Sequence, residues 1–590
     1  MDKYTHLKKM MDVSAGRQKA SLVLKGGRVV NVYTGQVETL DIAMENGVIA
    51  GLGQYDGIEN VDLKGQYVCP GFIDGHIHLE SSMVSPWEFE QAVLPHGTTA
   101  VVTDPHEIGN VAGLAGIDYM MEATRDLRLD VFFVMPSCVP ATDLDESGAV
   151  LGARQLKPYY NNPRVLGLAE VMNAPGVAAG LPDLLQKAAD AAEVGKIIDG
   201  HAPFLSGKDL CAYVNAGVAS DHECSDIHEA MEKLARGQWI MIREGTAARN
   251  LEALMPLFEE PYFHRCLLVT DDKHPGDLIS MGHIDYIIRK AVGLGADPIR
   301  AISMGTLHAA QYFGLKDRGA VAPGMKADLV VFEDLKSLKV TAVYKNGRLS
   351  ASEGKVLEGE KSLSPKAQKD KLLRLQKEFP QVYDSFHMEE IKPEDLILTK
   401  QGETQRIIQL KAHELLTKER LEPWSEEEGV APGVSLERDI VKAAVFERHK
   451  NTGHKGLGFL GGYGLKRGAV ATSVAHDSHN LIVVGVNDRD MLLAANAVLK
   501  NRGGLAVAAD GAVIGQLPLP IGGIMTDASV SQVEETLSAL KEKAASLGVC
   551  QDIDAFMTLA FVSLPVIPAL RLNTYGIVDV EKQEILPASF

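Results

Sequence analysis

The sequence predicts an α/β protein in which a (β/α)8 TIM-like barrel carries a small split β-sandwich domain and an additional C-terminal α/β domain. Three observations predict this architecture. The chain has 590 residues, which is too long for one compact domain. Short apolar runs alternate with helical stretches from Gly71 onward. Segments of β character lie on both sides of that alternating region.

The alternating region contains eight apolar runs, which is the number of strands in a (β/α)8 barrel. Strands that are buried on both faces read as continuous apolar runs, and a helix between two strands allows them to run parallel. The predicted strands are residues 71–76, 98–103, 130–135, 165–170, 196–201, 218–222, 239–243 and 266–271.

The flanking β segments are predicted to form one small domain. Gly26-Gly27 and Asn46-Gly47 are turn signals in the first segment, and residues 327–332 begin the strands of the second. The predicted divisions are 1–66 for the first part of the small β domain, 67–317 for the barrel, 318–360 for the return segment and 361–590 for the C-terminal α/β domain.

Composition and charge narrow the classes of function. Lys and Arg number 59 and Asp and Glu 78, which gives a formal net charge of −19. An acidic surface repels nucleic-acid phosphate and anionic membranes. The six cysteines form no C-x-x-C pair, so zinc ribbons and thioredoxin-type motifs are excluded and a reducing compartment is indicated. We therefore expect a cytoplasmic homo-oligomer, a dimer or larger, with neither a nucleic-acid nor a membrane partner.

Side chains that bind metals lie at the carboxyl ends of the predicted strands. In a barrel those ends meet at one face, where active sites form. Residues i and i+2 of a strand point to the same side, so His76 and His78 can bind one cation together. One such residue alone is usually structural, but the ordered series is not expected by coincidence. The predicted metal ligands are His76, His78, Glu170, His201, His222 and Asp271.

The types of these ligands predict the chemistry. Imidazole and carboxylate suit manganese, iron or zinc, whereas thiolates would indicate a structural zinc. A carboxylate can bridge two cations, so Glu170 is predicted to join a divalent metal pair. Such a pair lowers the pKa of a bridging water from about 16 toward 7 and so creates a nucleophile. Asp271 is predicted to bind one cation, take up the proton and pass it to the leaving group.

These motifs resemble the amidohydrolase superfamily. Residues 70–78, Pro-Gly-Phe-Ile-Asp-Gly-His-Ile-His, and residues 323–330, Pro-Gly-Met-Lys-Ala-Asp-Leu-Val, are similar to its signatures. The resemblance covers about residues 20–350 and implies a barrel inserted into a split β domain. Many members bridge their metals with a carboxylated lysine, where this sequence has Glu170. Glu80 stands where dihydroorotase-like members bind a substrate carboxylate with arginine, which argues against an anionic substrate.

A narrower resemblance is to the adenine deaminase family. It rests on residues 76–83, 103–110, 269–272 and 473–480, and with the C-terminal region it covers almost the whole chain. The resemblance implies that a small-molecule purine base, adenine, is hydrolysed to hypoxanthine and ammonia. It also implies a divalent metal pair, with Mn²⁺ expected and Fe or Zn as alternatives.

Further polar residues have roles that the sequence leaves open. The ring nitrogen beside C6 of a purine must gain a proton when water attacks. The candidate donors near the ends of the first two strands are Glu80, Asp104, His106 and Glu107. His106 and Glu107 could instead brace a loop. Residues expected to contact substrate or form a lid are Asp272, His476, Asp477 and His479. For the last three, a further metal site and a purely structural loop are the alternatives.

Two other functions are compatible with the same fold. A cyclic amide hydrolase or deacetylase of the superfamily is one, although Glu80, Glu170 and the long C-terminal region argue against it. A metal-free scaffold protein is the other, but all ligand positions are filled. The zinc deaminases with a P-C-x-x-C signature are excluded by the cysteine pattern. Residues 456–461 match a dinucleotide-binding glycine motif, which we reject because no apolar strand immediately precedes it.

Overall fold

The computed structural model describes residues 2–358, 365–412 and 414–590. The predicted division between residues 360 and 361 therefore lies outside the described residues. Within these ranges the strands form five sheets. Every helix of the described ranges is too short or too polar to cross a lipid bilayer.

The strands that precede the alternating region and those that follow it form one nine-stranded sheet. Leu329–Phe332 pairs antiparallel with Tyr67–Pro70, so the chain returns to the sheet beside the strand from which it left. The predicted turn at Asn46 and Gly47 joins two antiparallel strands, and both residues have the positive φ, 51° and 79°, that a type I′ turn requires. The strands are Ala20–Asn31, Gln36–Glu45, Val48–Gly53, Gly57–Asp62, Tyr67–Pro70, Leu329–Phe332, Val340–Lys345, Arg348–Ser352 and Lys355–Val356.

Eight parallel strands follow in the middle of the chain, in one sheet of five and one of three. Three of the predicted runs, 98–103, 130–135 and 239–243, have the predicted bounds, and the other five differ at one or both ends. Their side chains are almost all buried, as the continuous apolar runs predicted. The strands are Phe72–Ile77, Thr98–Thr103, Asp130–Met135, Val165–Val171, Ile197–Gly200, Ser220–Asp221, Trp239–Arg243 and Cys266–Val269.

Backbone hydrogen bonds join the two parallel sheets at both edges. At one edge the amide of Ala219 donates to the carbonyl of Ile198 at 2.9 Å. At the other, the amide of Asp271 donates to the carbonyl of His76 at 2.9 Å. The first and last strands of the series are therefore neighbours, and their carboxyl ends meet beside Asp271.

The C-terminal region is built on an eight-stranded, mainly antiparallel sheet and a small three-stranded sheet. The glycine motif at 456–461 lies inside strand Lys455–Gly461, which pairs with Ile440–Phe446. The preceding strand ends ten residues before Gly456, so no strand immediately precedes the motif, and the glycines lie within a strand rather than in a phosphate-binding loop. The strands are Thr404–Gln409, Lys418–Pro423, Ile440–Phe446, Lys455–Gly461, Ala469–Thr472, Leu481–Gly485, Gly504–Ala509, Ala512–Pro518, Leu570–Asn573, Gly576–Asp579 and Glu584–Leu586.

Helices cover the parallel strands, and two helices, Asp488–Lys500 and Val530–Ser546, pack against the C-terminal sheet. The α-helices are Lys3–Ser14, Pro86–Val93, His106–Ala123, Ala153–Leu156, Ala174–Ala178, Pro182–Glu193, Gly207–Asn215, Ile227–Ala235, Pro275–Ser280, Ile284–Gly293, Pro298–Met304, Leu307–Tyr312, Pro365–Glu378, Pro380–Tyr383, Asp488–Lys500, Val530–Ser546 and Met557–Val562. The 3-10 helices are Leu79–Ser82, Leu94–His96, Lys157–Asn161, Met255–Phe258, Tyr262–Arg265 and Pro393–Leu396.

Candidate active site

The first and last parallel strands bring one group of ligand atoms together. His76 and His78 stand at the carboxyl end of the first strand, and Asp271 follows the last. The Nε2 atom of His78 lies 3.1 Å from Oε1 of Glu170 and 3.2 Å from Oδ1 of Asp271. The Nε2 atom of His76 lies 3.7 and 3.5 Å from the same two oxygens. Two imidazoles and two carboxylates thus converge on one point.

A second group shares Glu170 with the first. Oε2 of Glu170 lies 2.7 Å from Nδ1 of His201 and 3.3 Å from Nε2 of His222. His201 and His222 follow the fifth and sixth strands, so their separation in sequence becomes proximity at the ends of neighbouring strands. Burial would raise the pKa of Glu170, but hydrogen bonds from His201 and His222 hold it well below its usual range. The shared carboxylate is therefore an anion.

The chemistry of these donors fits divalent cations. The Nδ1–H of His78 donates to the carbonyl of Asp104 at 3.1 Å, which leaves the Nε2 lone pair for a cation. The buried Nε2 atom of His76 has no hydrogen-bond partner among the described residues. Buried polar atoms are normally satisfied, so this orphaned nitrogen fits a role as a cation ligand. Nitrogen and oxygen ligands without a thiolate suit manganese, iron or zinc.

Two residues at this site were missed by sequence reasoning. Arg243 ends the seventh strand, and its Nη1 atom donates to Oδ2 of Asp271 at 2.6 Å. The same guanidinium donates to Glu223 through Nη2 at 3.0 Å, and Oε1 of Glu223 lies 3.4 Å from Nε2 of His222. Arg243 thus links the last ligand to a carboxylate beside His222. The only signal in the sequence was their position at the ends of predicted strands.

Asp271 has an unusual backbone as well as a charged partner. Its φ is 60°, in the left-handed region that few residues other than glycine adopt. Such conformations persist where the surrounding structure imposes them, and they concentrate at functional sites. Burial would raise the pKa of Asp271, but the charge of Arg243 and the neighbouring imidazoles of His76 and His78 hold it well below its usual range.

A second polar layer begins with the second strand. The Nδ1–H of His106 donates to Oδ2 of Asp104 at 2.8 Å, and its Nε2 atom lies 3.5 Å from Oε1 of Glu107 and 3.7 Å from Oδ1 of Asp477. Burial alone would lower the pKa of His106, but the carboxylates of Asp104, Glu107 and Asp477 raise it well above its ordinary value. The acidic surroundings of His106 therefore favour its protonated form.

Glu80 occupies a different position from the other candidate proton donors. Its Oε1 atom accepts the amide N–H of Ile108 at 3.2 Å, in the first turn of helix His106–Ala123. Its other oxygen is buried without a hydrogen-bond partner among the described residues. Burial raises the pKa of Glu80 to about 7. A proton-donor role for Glu80 stays a prediction, and its visible contact is with the helix terminus.

The C-terminal region supplies the remaining predicted residues. His476 Nδ1 and His479 Nε2 bond the two oxygens of Glu107, and Asp477 faces His106. Asp272, next to Asp271, accepts a hydrogen bond from the hydroxyl of Ser81.

These groups surround one cavity of about 700 Å³. We call its two sides the strand-end wall (His78, Glu170, His201, His222 and Asp271) and the C-terminal wall (Leu415, Leu416, His476, Asp477, Phe561 and Leu564). His106, Glu107 and Asp272 also line the cavity, between the two walls. The other predicted site residues lie behind this lining, His76 against Glu170, Asp104 against His106, His479 against Glu107 and Glu80 at the helix terminus.

Two family profiles match the sequence. The amidohydrolase family profile matches residues 67–350, and the profile of the adenine deaminase C-terminal domain matches residues 414–584. Together they cover both the parallel strands and the region that supplies the C-terminal wall.

Curated relatives match over nearly the full length. Adenine deaminase 2 of Carboxydothermus hydrogenoformans is 47% identical over 583 residues, which is 99% of each chain. The adenine deaminase of Kosmotoga olearia is 44% identical over 576 residues, 97% of each chain. Among solved structures, a crystal structure of an adenine deaminase is 18% identical with a TM-score of 0.44, covering 56% of this chain and 99% of that one.

Proposed function

Because the chain belongs to the adenine deaminase family of amidohydrolases, we propose that it hydrolyses adenine to hypoxanthine and ammonia. The observation that carries the proposal is the pair of residue groups that share Glu170 at the ends of the parallel strands. Relatives named adenine deaminase match both this region and the C-terminal region. A scaffold protein would have no need for so many buried ionisable groups at one point.

We infer that the eight parallel strands form one closed (β/α)8 barrel, with the nine-stranded sheet as its split β-sandwich domain. The support is the pair of hydrogen-bonded edges, between Ala219 and Ile198 and between Asp271 and His76. The carboxyl ends of such strands form the active face of a barrel, which is where the ligand groups lie.

We propose that the site holds a pair of divalent cations, with manganese expected and iron or zinc as alternatives. One cation would be held by the first group of four ligands and the other by the second group, with Glu170 common to both. Bound there, the cations would supply a water of lowered pKa and polarise the substrate. The residues that would hold them are His76, His78, Glu170, His201, His222 and Asp271.

Asp271 is proposed to carry a proton from the attacking water to the leaving amine. As the water oxygen bonds to C6 of adenine, the carboxylate accepts one water proton. It returns this proton when the C6–N6 bond breaks, and ammonia leaves. Arg243 bonds Oδ2 of Asp271 and so orients the carboxylate that would exchange the proton.

His106 is proposed to protonate the ring nitrogen beside C6. It lines the cavity, and its Nδ1–H is already bonded to Asp104, so Nε2–H is the group available to a substrate. The nearest carboxylate oxygens are 3.5 and 3.7 Å away from Nε2, which leaves this proton without a tight partner. The second water proton then restores His106, and the product is the keto form of hypoxanthine.

The direct test is ammonia release from adenine by the manganese-loaded protein, with adenosine and hydantoin as comparison substrates. We expect turnover of adenine and much less of the other two. Turnover of hydantoin in preference to adenine would instead support a cyclic amide hydrolase. Metal analysis of the purified protein tests the scaffold alternative, since a scaffold would retain no stoichiometric manganese, iron or zinc.

The remaining expectations concern the setting of the enzyme. All six cysteines are free thiols in the structure, which supports the proposal of a reducing, cytoplasmic environment. The formal charge of −19 supports a small purine base, rather than nucleic acid, as the binding partner. We propose a homo-oligomer, a dimer or larger, whose mass in solution light scattering can measure.

A further inference from the structure

A short turn of the C-terminal region reaches the catalytic cavity. Residues 473–480 connect strands Ala469–Thr472 and Leu481–Gly485, and all eight are buried. The turn places His476 and His479 on opposite oxygens of Glu107, which belongs to helix His106–Ala123 more than 350 residues earlier. This is the point at which the C-terminal region meets the polar part of the cavity.

The hydrogen bonds of His479 define its tautomer. The amide N–H of Ala475 donates to Nδ1 of His479 at 3.1 Å, so Nδ1 is an acceptor and carries no proton. A neutral imidazole has one proton, which must then lie on Nε2, the atom that meets Glu107. Burial lowers the pKa of His479, in keeping with a neutral ring. Nε2 is a hydrogen-bond donor here and has no lone pair for a third cation.

His476 approaches the other oxygen of Glu107 with Nδ1, and its ring stacks on Phe561 with centroids 4.9 Å apart. Burial would raise the pKa of Glu107, but His476 holds it well below its usual range. One histidine therefore bonds the carboxylate through Nδ1 and the other through Nε2. Two donors on two oxygens fix the plane of the carboxylate as well as its position.

Hydrogen bonds from two other buried residues, Arg448 and His449, also hold the turn in place. Arg448 donates to the carbonyl of His479 and, at 2.8 Å, to that of Gly522. His449 donates through Nε2 to the carbonyl of Ser478 at 2.7 Å. His479 adopts a φ of 54°, a conformation that residues other than glycine rarely adopt and that persists only where its surroundings impose it.

We propose that the C-terminal region completes the active site by clamping the Glu107 carboxylate between His476 and His479, so that Glu107 accepts an N–H of the bound heterocycle. The inference rests on the proposed function. Glu107 lines the cavity beside His106, and each of its oxygens keeps a lone pair for a further donor. Adenine offers ring and exocyclic N–H groups. His476 and His479 are positioning residues, which act on the substrate through Glu107.

Crossed amide substitutions test the clamp. The amide nitrogen of glutamine can stand in for Nε2 of histidine, and that of asparagine for Nδ1. We therefore expect His479→Gln and His476→Asn to keep kcat/KM for adenine within about 5-fold of the unsubstituted enzyme. His479→Asn and His476→Gln should lower it about 100-fold, mainly through KM, because a displaced binding group costs about that much.

The same four variants distinguish this clamp from a merely structural contact. Losses that follow the melting temperatures while KM stays unchanged would overturn the proposal, as would four unimpaired variants. If the unsubstituted enzyme releases no ammonia from adenine, the proposed function fails, and the clamp is judged by stability alone. The melting temperatures should then follow the same crossed order, because only the matched amides satisfy the buried carboxylate, and an uncrossed order would overturn the clamp.

Discussion

The two walls of the cavity are built in different ways. The strand-end wall consists of side chains at the ends of parallel strands, where each position follows from the strand before it. The C-terminal wall consists of a turn and helix residues from a separate sheet region, placed by docking against Glu107 and against the loop around Glu146. The first wall carries the groups proposed to bind cations, and the second adds apolar surface and hydrogen bonds.

This difference predicts how strongly substitutions in each wall reduce activity. A substitution in the strand-end wall should remove a group that the reaction needs, because no neighbouring residue can replace a proposed metal ligand. A substitution in the C-terminal wall should only displace groups that contact the substrate, so we expect a smaller fall in activity. The predictions below test this contrast, beginning with the largest expected effect.

The shared ligand should be the most sensitive position. We expect Glu170→Gln to lose both cations and to lower ammonia release roughly 10⁴-fold, as removal of a central catalytic group does. An amide cannot supply the negative charge that two cations share. Metal content and turnover are the measurements. Glu193→Gln, at a carboxylate that is 68% exposed, is the matched control and should change neither. Full metal occupancy in Glu170→Gln would contradict the bridging role.

Asp271→Asn should come next. Asparagine keeps the shape of the side chain but cannot carry the transferred proton, so we expect kcat to fall roughly 10³-fold. The circular dichroism spectrum and the cooperativity of unfolding should be unchanged. Turnover at the rate of the unsubstituted enzyme would refute the proton-transfer role of Asp271, whatever the metal content.

Arg243→Lys tests a residue that touches the ligands without being one. Lysine keeps the charge but loses the planar fork that reaches both Asp271 and Glu223. We expect kcat/KM to fall about 10- to 100-fold, the range found when groups that orient metal ligands are changed. Arg236→Lys, on an exposed helix end, is the matched control. Equal activity of the two variants would show that Arg243 does not orient Asp271.

The same contrast explains which parts of the site could be predicted from the sequence. The proximity of His76, His78 and Glu170 could be predicted because apolar runs mark parallel strands, and the fold brings the ends of those strands together. Three strands also had the predicted bounds. Arg243 could not be recognised, because a charged residue at a strand end has the same appearance whether it binds a ligand or solvent.

The C-terminal wall was predictable only in part. The density of histidine in residues 473–480 pointed to a role, but its alternatives stayed open. Which nitrogen of His479 carries the proton depends on an amide four residues away and on a left-handed backbone. The contact of His476 and His479 with Glu107 depends on how the C-terminal region docks on the parallel strands and their helices. The hydrophobic periodicity of the sequence contains no information on this docking.

The smallest effect is expected where the C-terminal region docks on the loop around Glu146. The buried hydroxyl of Thr574 donates to Oε2 of Glu146 at 2.9 Å. Thr574→Val keeps the shape and removes this bond, so the free energy of unfolding should fall by about 1 kcal/mol, measured by urea denaturation. Metal content should stay unchanged, because the strand-end wall is untouched. Thr536→Val, which removes a hydrogen bond within helix Val530–Ser546, is the control and should cost less. A loss of metal in Thr574→Val would show that the two walls are coupled, and the contrast between them would not hold.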